Sequence, residues 1–119
     1  MRKECSGRKA VNFLGKKWSL LILLDLYKGK SEWKRFSQIK KNLNSITSKI
    51  LSVRLKELER ENLIERKVYI EEFPIKCEYK LTKAGQEFIY VIKDIKQWSL
   101  KWRKKDKTCE DKDCKDCEF

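Results

Sequence analysis

The stretch LNSITSKILSVRLKELERENLIERKVYI, residues 43–70, changes its repeat part-way along. Leu51, Leu55 and Leu58 recur at spacings of four and three, the period of one helix face. Ile64, Val68 and Ile70 then fall at even offsets, the period of one strand face. Lysine and arginine fill the polar positions of both. With the three leucines turned inward, the opposite helix face carries Lys49, Ser52, Val53, Lys56 and Arg60. A basic helix running directly into a basic strand is the pattern that the rest of the chain must explain.

Upstream, SGRKAVNFLG (6–15) reads as a short helix starting at Ser6, and KWSLLILLDLYKG (17–29) as an apolar helix stopped by Gly29. KSEWKRF (30–36) is a linker with a short strand. FSQIKKNL (36–43) makes two helical turns with Ser37 as N-cap, and NSI (44–46) is a three-residue turn. Thr47 then caps the basic helix over 47–62, with Asn62 at its left-handed end. Downstream, LIERKVYI (63–70) and IKCEYKLT (75–82) alternate and flank EEFP, an antiparallel hairpin with a loop of about four residues. Ile75, Cys77, Tyr79 and Leu81 fall on its inward face. Thr82 caps a long last helix with Phe88, Val91, Ile92, Ile95, Trp98 and Trp102 on one stripe.

Two short helices across a tight turn, the second basic, followed by a basic hairpin, spell a winged helix-turn-helix. The fold expected is mainly α with a small β-hairpin, an α+β chain with a further helix at either end. In this arrangement the second helix enters a major groove and its N-terminal part meets base edges. Ser48, Lys49, Ser52, Val53, Lys56 and Arg60 are the candidate readers, and Val53 can touch a thymine methyl. Arg54 lies at the edge of the buried face, placed to bond either a phosphate or an internal acid such as Glu57 or Glu61. Arg66, Lys67 and Lys76 are the wing candidates.

Composition agrees. The 119 residues suit one domain, 40% of them charged, with a net charge of +12. From Asp106 to Phe119 the net charge is −3, which leaves +15 on residues 1–105. A domain that basic attracts a polyanion, nucleic acid above all; the plainer reading is a lysine-rich solvated surface. Residues 1–105 are expected to form the DNA-binding and dimerisation domain, and 106–119 an acidic, cysteine-rich tail. No apolar run approaches the ~20 residues of a membrane span, so no membrane partner and a cytoplasmic location are expected.

These segments have a known counterpart. LGKKWSLLILLDLYKG, RFSQIKKNLNSITSKILSVRLKELERENLIERKVY and PIKCEYKLTKAGQEF resemble, in this order and spacing, the HxlR-type branch of the MarR-like winged-helix regulators. The resemblance runs from about Cys5 to Trp102. It implies a transcription regulator acting as a homodimer on inverted-repeat duplex DNA, with the first and last helices forming the dimer interface. Two departures stand out: the linker between Gly29 and Phe36 is longer than the pattern, and Lys83 replaces a frequent proline. Dimerisation also has a direct reason, because Trp98 and Trp102 extend an apolar stripe beyond what a small domain covers. Val11, Leu14, Ile92, Ile95, Trp98 and Trp102 are the interface candidates.

The five cysteines add a second constellation. Cys77 reads as a small core residue. Cys5, Cys109, Cys114 and Cys117 lie outside the winged core, and with no histidine in the chain any zinc site must be all-thiolate. The resemblance adds a redox reading: in some family members a cysteine where Cys5 stands is a thiol sensor, sometimes paired with a C-terminal cysteine. An inert tail is the third possibility. An enzyme is not expected. CKDC (114–117) has the spacing of dithiol oxidoreductases, but the surrounding acids raise a thiol pKa and no general base is present. A non-specific RNA-binding or architectural DNA-binding module is the alternative; the sequence gives no sign of an aromatic-studded sheet, which argues against single-stranded RNA.

Overall fold

The computed structural model describes residues 5–29 and 31–103. In chain order it holds α1 (Ser6–Leu14), α2 (Ser19–Tyr27), β1 (Lys34–Arg35), α3 (Phe36–Leu43), α4 (Ser48–Arg60), β2 (Ile64–Tyr69), β3 (Lys76–Leu81) and α5 (Lys83–Trp102). This is the expected α+β winged helix. The strands form an antiparallel sheet in the order β1-β3-β2, so the linker strand completes a three-stranded sheet instead of standing apart.

The apolar helix α2 is the centre. Ile22, Leu23, Leu24 and Leu26 are buried, and α2 touches α1, α3, α4, α5 and β3. A helix apolar all round has no solvent face to keep, so others must surround it. Ile39 of α3, Leu51, Leu55 and Leu58 of α4, Ile64, Tyr79 and Leu81 of the sheet, and Ile89 and Ile92 of α5 close the core. Each leucine so buried contributes ~1.5–3 kcal/mol of transfer free energy.

Several boundaries differ from expectation, each for a local reason. The α2 helix begins at Ser19, because Trp18 turns the chain with φ 84° and the Ser19 hydroxyl donates to the Phe13 carbonyl at 3.0 Å. Ser37 does not cap α3. Arg35 occupies that position without a side-chain cap bond, since its pairing opposite Glu78 in the sheet leads the chain straight into the helix. Ile75 is exposed in the loop rather than inward, because β3 begins at Lys76; the hairpin loop therefore spans 70–75. Cys77, opposite Val68, is half-buried.

Where capping was expected at Thr47 and Thr82, it is found. Thr47 Oγ1 accepts from the Ile50 N–H at 3.2 Å and Thr82 Oγ1 from the Gly85 N–H at 3.1 Å. Asn44 and Asn62 take positive φ, 59° and 63°, at the ends of α3 and α4. The linker hides something its sequence does not announce. Lys34 is buried and donates to the backbone carbonyl of buried Asp25, with the Asp25 carboxylate 3.9 Å away and the Asn42 amide 3.4 Å from that carboxylate. Burial pushes the Asp25 carboxyl up and the Lys34 ammonium down, and their mutual attraction opposes both shifts.

The start of α5 lies hard against the end of α4. A Cβ on Gly85 would overlap the Leu63 carbonyl oxygen, which itself accepts from the Thr82 N–H at 3.1 Å. Gly85→Ala should therefore cost ~1–3 kcal/mol through forced separation of the two elements. Chemical denaturation checks this; an unchanged midpoint would mean that the junction yields freely.

Candidate nucleic-acid interface

Helix α4 is built from both ends inward. Thr47 caps α4, the left-handed Asn62 ends its last turn, and Leu51, Leu55 and Leu58 bury one face completely. The opposite face is turned to solvent as its period requires: Ser48, Lys49, Val53, Lys56 and Arg60 are exposed and Ser52 is half-buried. Lys49, Lys56 and Arg60 make no ion pair among the described residues. Free cations on an outward helix face are what a phosphate backbone or a base edge can engage.

Arg54 is placed differently. Its Nη1 bonds Glu57 Oε1 at 2.9 Å and its Nε donates to the Lys17 carbonyl at 3.0 Å. Of the two roles open to it, the internal acid has it, because three residues along a helix bring Glu57 to the same side. It does not share the exposed face of Lys49, Val53, Lys56 and Arg60.

The hairpin splits the three wing cations. In the β2–β3 register Arg66 faces Tyr79 and Tyr69 faces Lys76, so Arg66 lies on the sheet face opposite Lys67 and Lys76. Arg66 sits 3.7 Å from Glu59 of α4. Lys67 and Lys76 lie 5.0 and 5.2 Å from the Tyr69 ring, Lys67 also 5.8 Å from Trp33, and Lys76 3.9 Å from Glu78. Lys80 adds a contact to Trp33 at 4.9 Å and ion pairs with Glu32 and Glu65. Tyr69 thus stands on the sheet among lysines, and Trp33, just before β1, lies beside Lys67 and Lys80. The sequence hid this because Trp33 lies in the linker, outside the hairpin pattern. The wing tip is not basic: Glu71 and Glu72 stand beside exposed Ile70, Phe73 and Ile75.

A second outward surface lies on α5. The single apolar stripe expected there is two stripes. Gly85, Ile89, Ile92 and Lys96 are buried, whereas Val91, Ile95, Trp98 and Trp102, spaced four, three and four, are exposed. Ile92 is thus spent on its own chain's core, one residue round the wheel from the exposed row. On α1, Val11 is 70% exposed and Leu14 packs partly against the core.

Of the cysteines offered for redox chemistry or zinc, only Cys5 lies among the described residues; Cys109, Cys114 and Cys117 lie outside them. No group of three metal-ligating side chains occurs among the described residues. Cys5 is exposed at the start of α1, where the Arg8 and then the Gly7 backbone N–H lower its thiol pKa below the ordinary value.

A helix-turn-helix whose second helix is followed by an antiparallel hairpin and flanked by an outer helix at each end is a winged helix-turn-helix protein. A sequence profile described as HxlR-like helix-turn-helix matches residues 13–107, and the chain belongs to that family. It is similar to YvaP of Bacillus subtilis, named an uncharacterised HTH-type transcriptional regulator, with 39% identity over 94 residues, 79% of this chain and 83% of that protein. The structure of the reduced form of the transcriptional regulator YodB from B. subtilis superposes with a TM-score of 0.71 at 35% identity, over 84% of this chain and 95% of that one. The redox regulator HypR in its oxidised form superposes with a TM-score of 0.69 at 29% identity, over 84% and 99%. The chain is a transcriptional regulator of the helix-turn-helix type. No described helix is long and apolar enough to cross a membrane.

The thiol environment gives a direct test. With Cys109, Cys114 and Cys117 changed to serine, iodoacetamide should alkylate Cys5 well before the half-buried Cys77. The midpoint of its pH–rate curve should lie below the ordinary thiol range of ~8.5. Equal rates at the two sites would mean that the backbone N–H groups at the α1 terminus do not reach the sulfur.

Proposed function

We propose that the chain acts as a homodimer on inverted-repeat duplex DNA, with α4 in the major groove and the hairpin against the flanking backbone. The observation that carries this reading is the outward face of α4: Lys49, Val53, Lys56 and Arg60 exposed, with the three cations unpaired among the described residues. Ser48 and Ser52 supply short donors near the N-terminal end, the part that meets base edges. Arg66, Lys67 and Lys76 add attraction that does not depend on sequence.

The dimer reading rests on α5. Val91, Ile95, Trp98 and Trp102 form a row of large side chains left in water, and Val11 stands exposed on α1. Against a two-fold mate this row is buried and two α4 helices can face successive major grooves. The thiol reading rests on exposed Cys5, with its lowered pKa, and on similarity to the reduced form of YodB and the oxidised form of HypR. A disulfide between Cys5 and a cysteine of the tail, its two electrons and two protons passing to a cellular oxidant, or a zinc ion held by Cys5 with Cys109, Cys114 and Cys117, would alter the angle between two reading heads and hence operator affinity. Residues 106–119 act in this reading as a tail separate from the 1–105 domain.

Two experiments test these proposals. Lys49→Ala and Lys56→Ala should each weaken duplex binding. Loss of a phosphate contact flattens the salt dependence by about one unit of slope, and loss of a guanine contact removes ~1–3 kcal/mol of discrimination at one position. Parent-like binding by both variants to operator and random duplex would exclude α4 as the reader. For the dimer, a Trp98→Ser, Trp102→Ser double variant should sediment as a monomer and lose most operator affinity while keeping its helical signal. A variant that remains a dimer would move the interface elsewhere.

A further inference from the structure

The outward face of α4 reads DNA only if the helix is held at one angle about its own axis. Leucine packing alone does this poorly. Burial of Leu51, Leu55 and Leu58 is non-directional, so small rotations of the helix cost little while the leucines stay covered. A rotation of about 20° moves side-chain tips by ~2 Å on a helix ~10–12 Å across. That is enough to lose a hydrogen bond to a base edge.

Directional contacts exist on one flank of α4 and converge on two of its side chains. Glu57 uses both carboxylate oxygens: Oε2 takes Lys16 Nζ at 2.8 Å and Oε1 takes Arg54 Nη1 at 2.9 Å. Arg54 also reaches across to the Lys17 carbonyl at 3.0 Å. The Arg54 and Glu57 side chains are only 18% and 16% exposed, so water competes weakly for them. The other end of this network is itself fixed. Lys16 and Lys17 lie in the α1–α2 corner, where Trp18 has φ 84° and the Ser19 hydroxyl donates to the Phe13 carbonyl. Helix α1 buries no residue fully, so this corner makes its most directional link to the reader helix.

We propose that Glu57 and Arg54 are positioning residues for sequence readout, clamping α4 to the α1–α2 corner through Lys16 and the Lys17 carbonyl. The inference rests on the DNA reading above and deepens it. Glu57 and Arg54 touch no base; they fix the angle at which Lys49, Ser52, Val53 and Lys56 arrive. The clamp is ionic under ordinary conditions. Burial raises the Glu57 pKa, but the Lys16 hydrogen bond and the charges of Lys16 and Arg54 outweigh it and hold the carboxyl below its usual value. The guanidinium fork is needed in addition to the positive charge, because one arm bonds Glu57 while Nε bonds the Lys17 carbonyl.

The test uses the full chain, an operator selected with it from random duplexes, and one random duplex, both titrated across salt concentrations. Glu57→Gln and Arg54→Lys should each lose about tenfold in operator affinity, comparable to one mismatched base pair. Random-duplex affinity and salt slope should match the parent in Arg54→Lys and should not fall below it in Glu57→Gln, which removes a negative charge, and both melting temperatures should stay close to the parent's. Arg54→Lys keeps the charge, so loss of readout in that variant separates positioning from simple attraction. Random-duplex binding that weakens in an Arg54→Ala variant, with a salt slope flatter by about one, would make Arg54 a phosphate contact and overturn the proposal. Parent-like operator affinity in both variants would also overturn it. A parent chain that selects no operator at all would overturn the DNA reading itself, a different failure from an operator that all three proteins bind alike.

Discussion

The complete burial of Leu51, Leu55 and Leu58 against α2 is the constraint on which the rest depends. Once those three positions face inward, helical geometry leaves Lys49, Val53, Lys56 and Arg60 facing out. Everything around α4 then acts on a helix already oriented to within a rotation. Thr47 fixes where it starts and Asn62 where it stops. Leu63 hands the chain to β2 and supplies a carbonyl to Thr82, so the end of α4, the hairpin and the start of α5 meet within one backbone hydrogen bond of each other.

The buried ions show how this arrangement is anchored on the far side. Lys34 sits in the core beside Asp25, and such pairs rarely add net stability over apolar residues of the same volume. What Lys34 does is directional. It bonds the backbone of α2 from a strand paired with β3, while Asn42 reaches the same aspartate from α3. Three elements around the first helix of the helix-turn-helix are thereby tied at fixed angles, as the Glu57 network ties the second.

Element types and order were legible in the sequence wherever a period ran long enough. The α4 leucines, both threonine caps and the hairpin alternation each follow from local chemistry. What stayed hidden depends on partners distant in sequence. Ile92 could not be separated from Val91 and Ile95, because the three lie on adjacent lines of one helix and packing on α2 and β3 decides which line is covered. Lys34 reads as a solvated linker residue until β1 pairs with β3. Trp33 joins Lys67 and Lys80 only through that same pairing. Arg54 was ambiguous between phosphate and acid, and Lys17, 37 residues away, supplies the second bond that places it inward.

The distribution of paired and unpaired charge carries the last step. In the wing, Arg66 stands against Glu59, Lys76 against Glu78 and Tyr69, and Lys67 against two aromatic rings, so each would give up an existing contact to meet a phosphate. On α4, Lys49, Lys56 and Arg60 have no ion pair among the described residues to give up. The same charge is therefore worth more on the helix than on the hairpin. The acids Glu71 and Glu72 at the wing tip strengthen the contrast, since they would repel any polyanion brought against the tip. A protein that needed only to hold duplex would spread free cations over both elements. Of these two elements only α4 carries described cations with neither an ion pair nor a ring contact, an arrangement suited to discrimination more than to attraction.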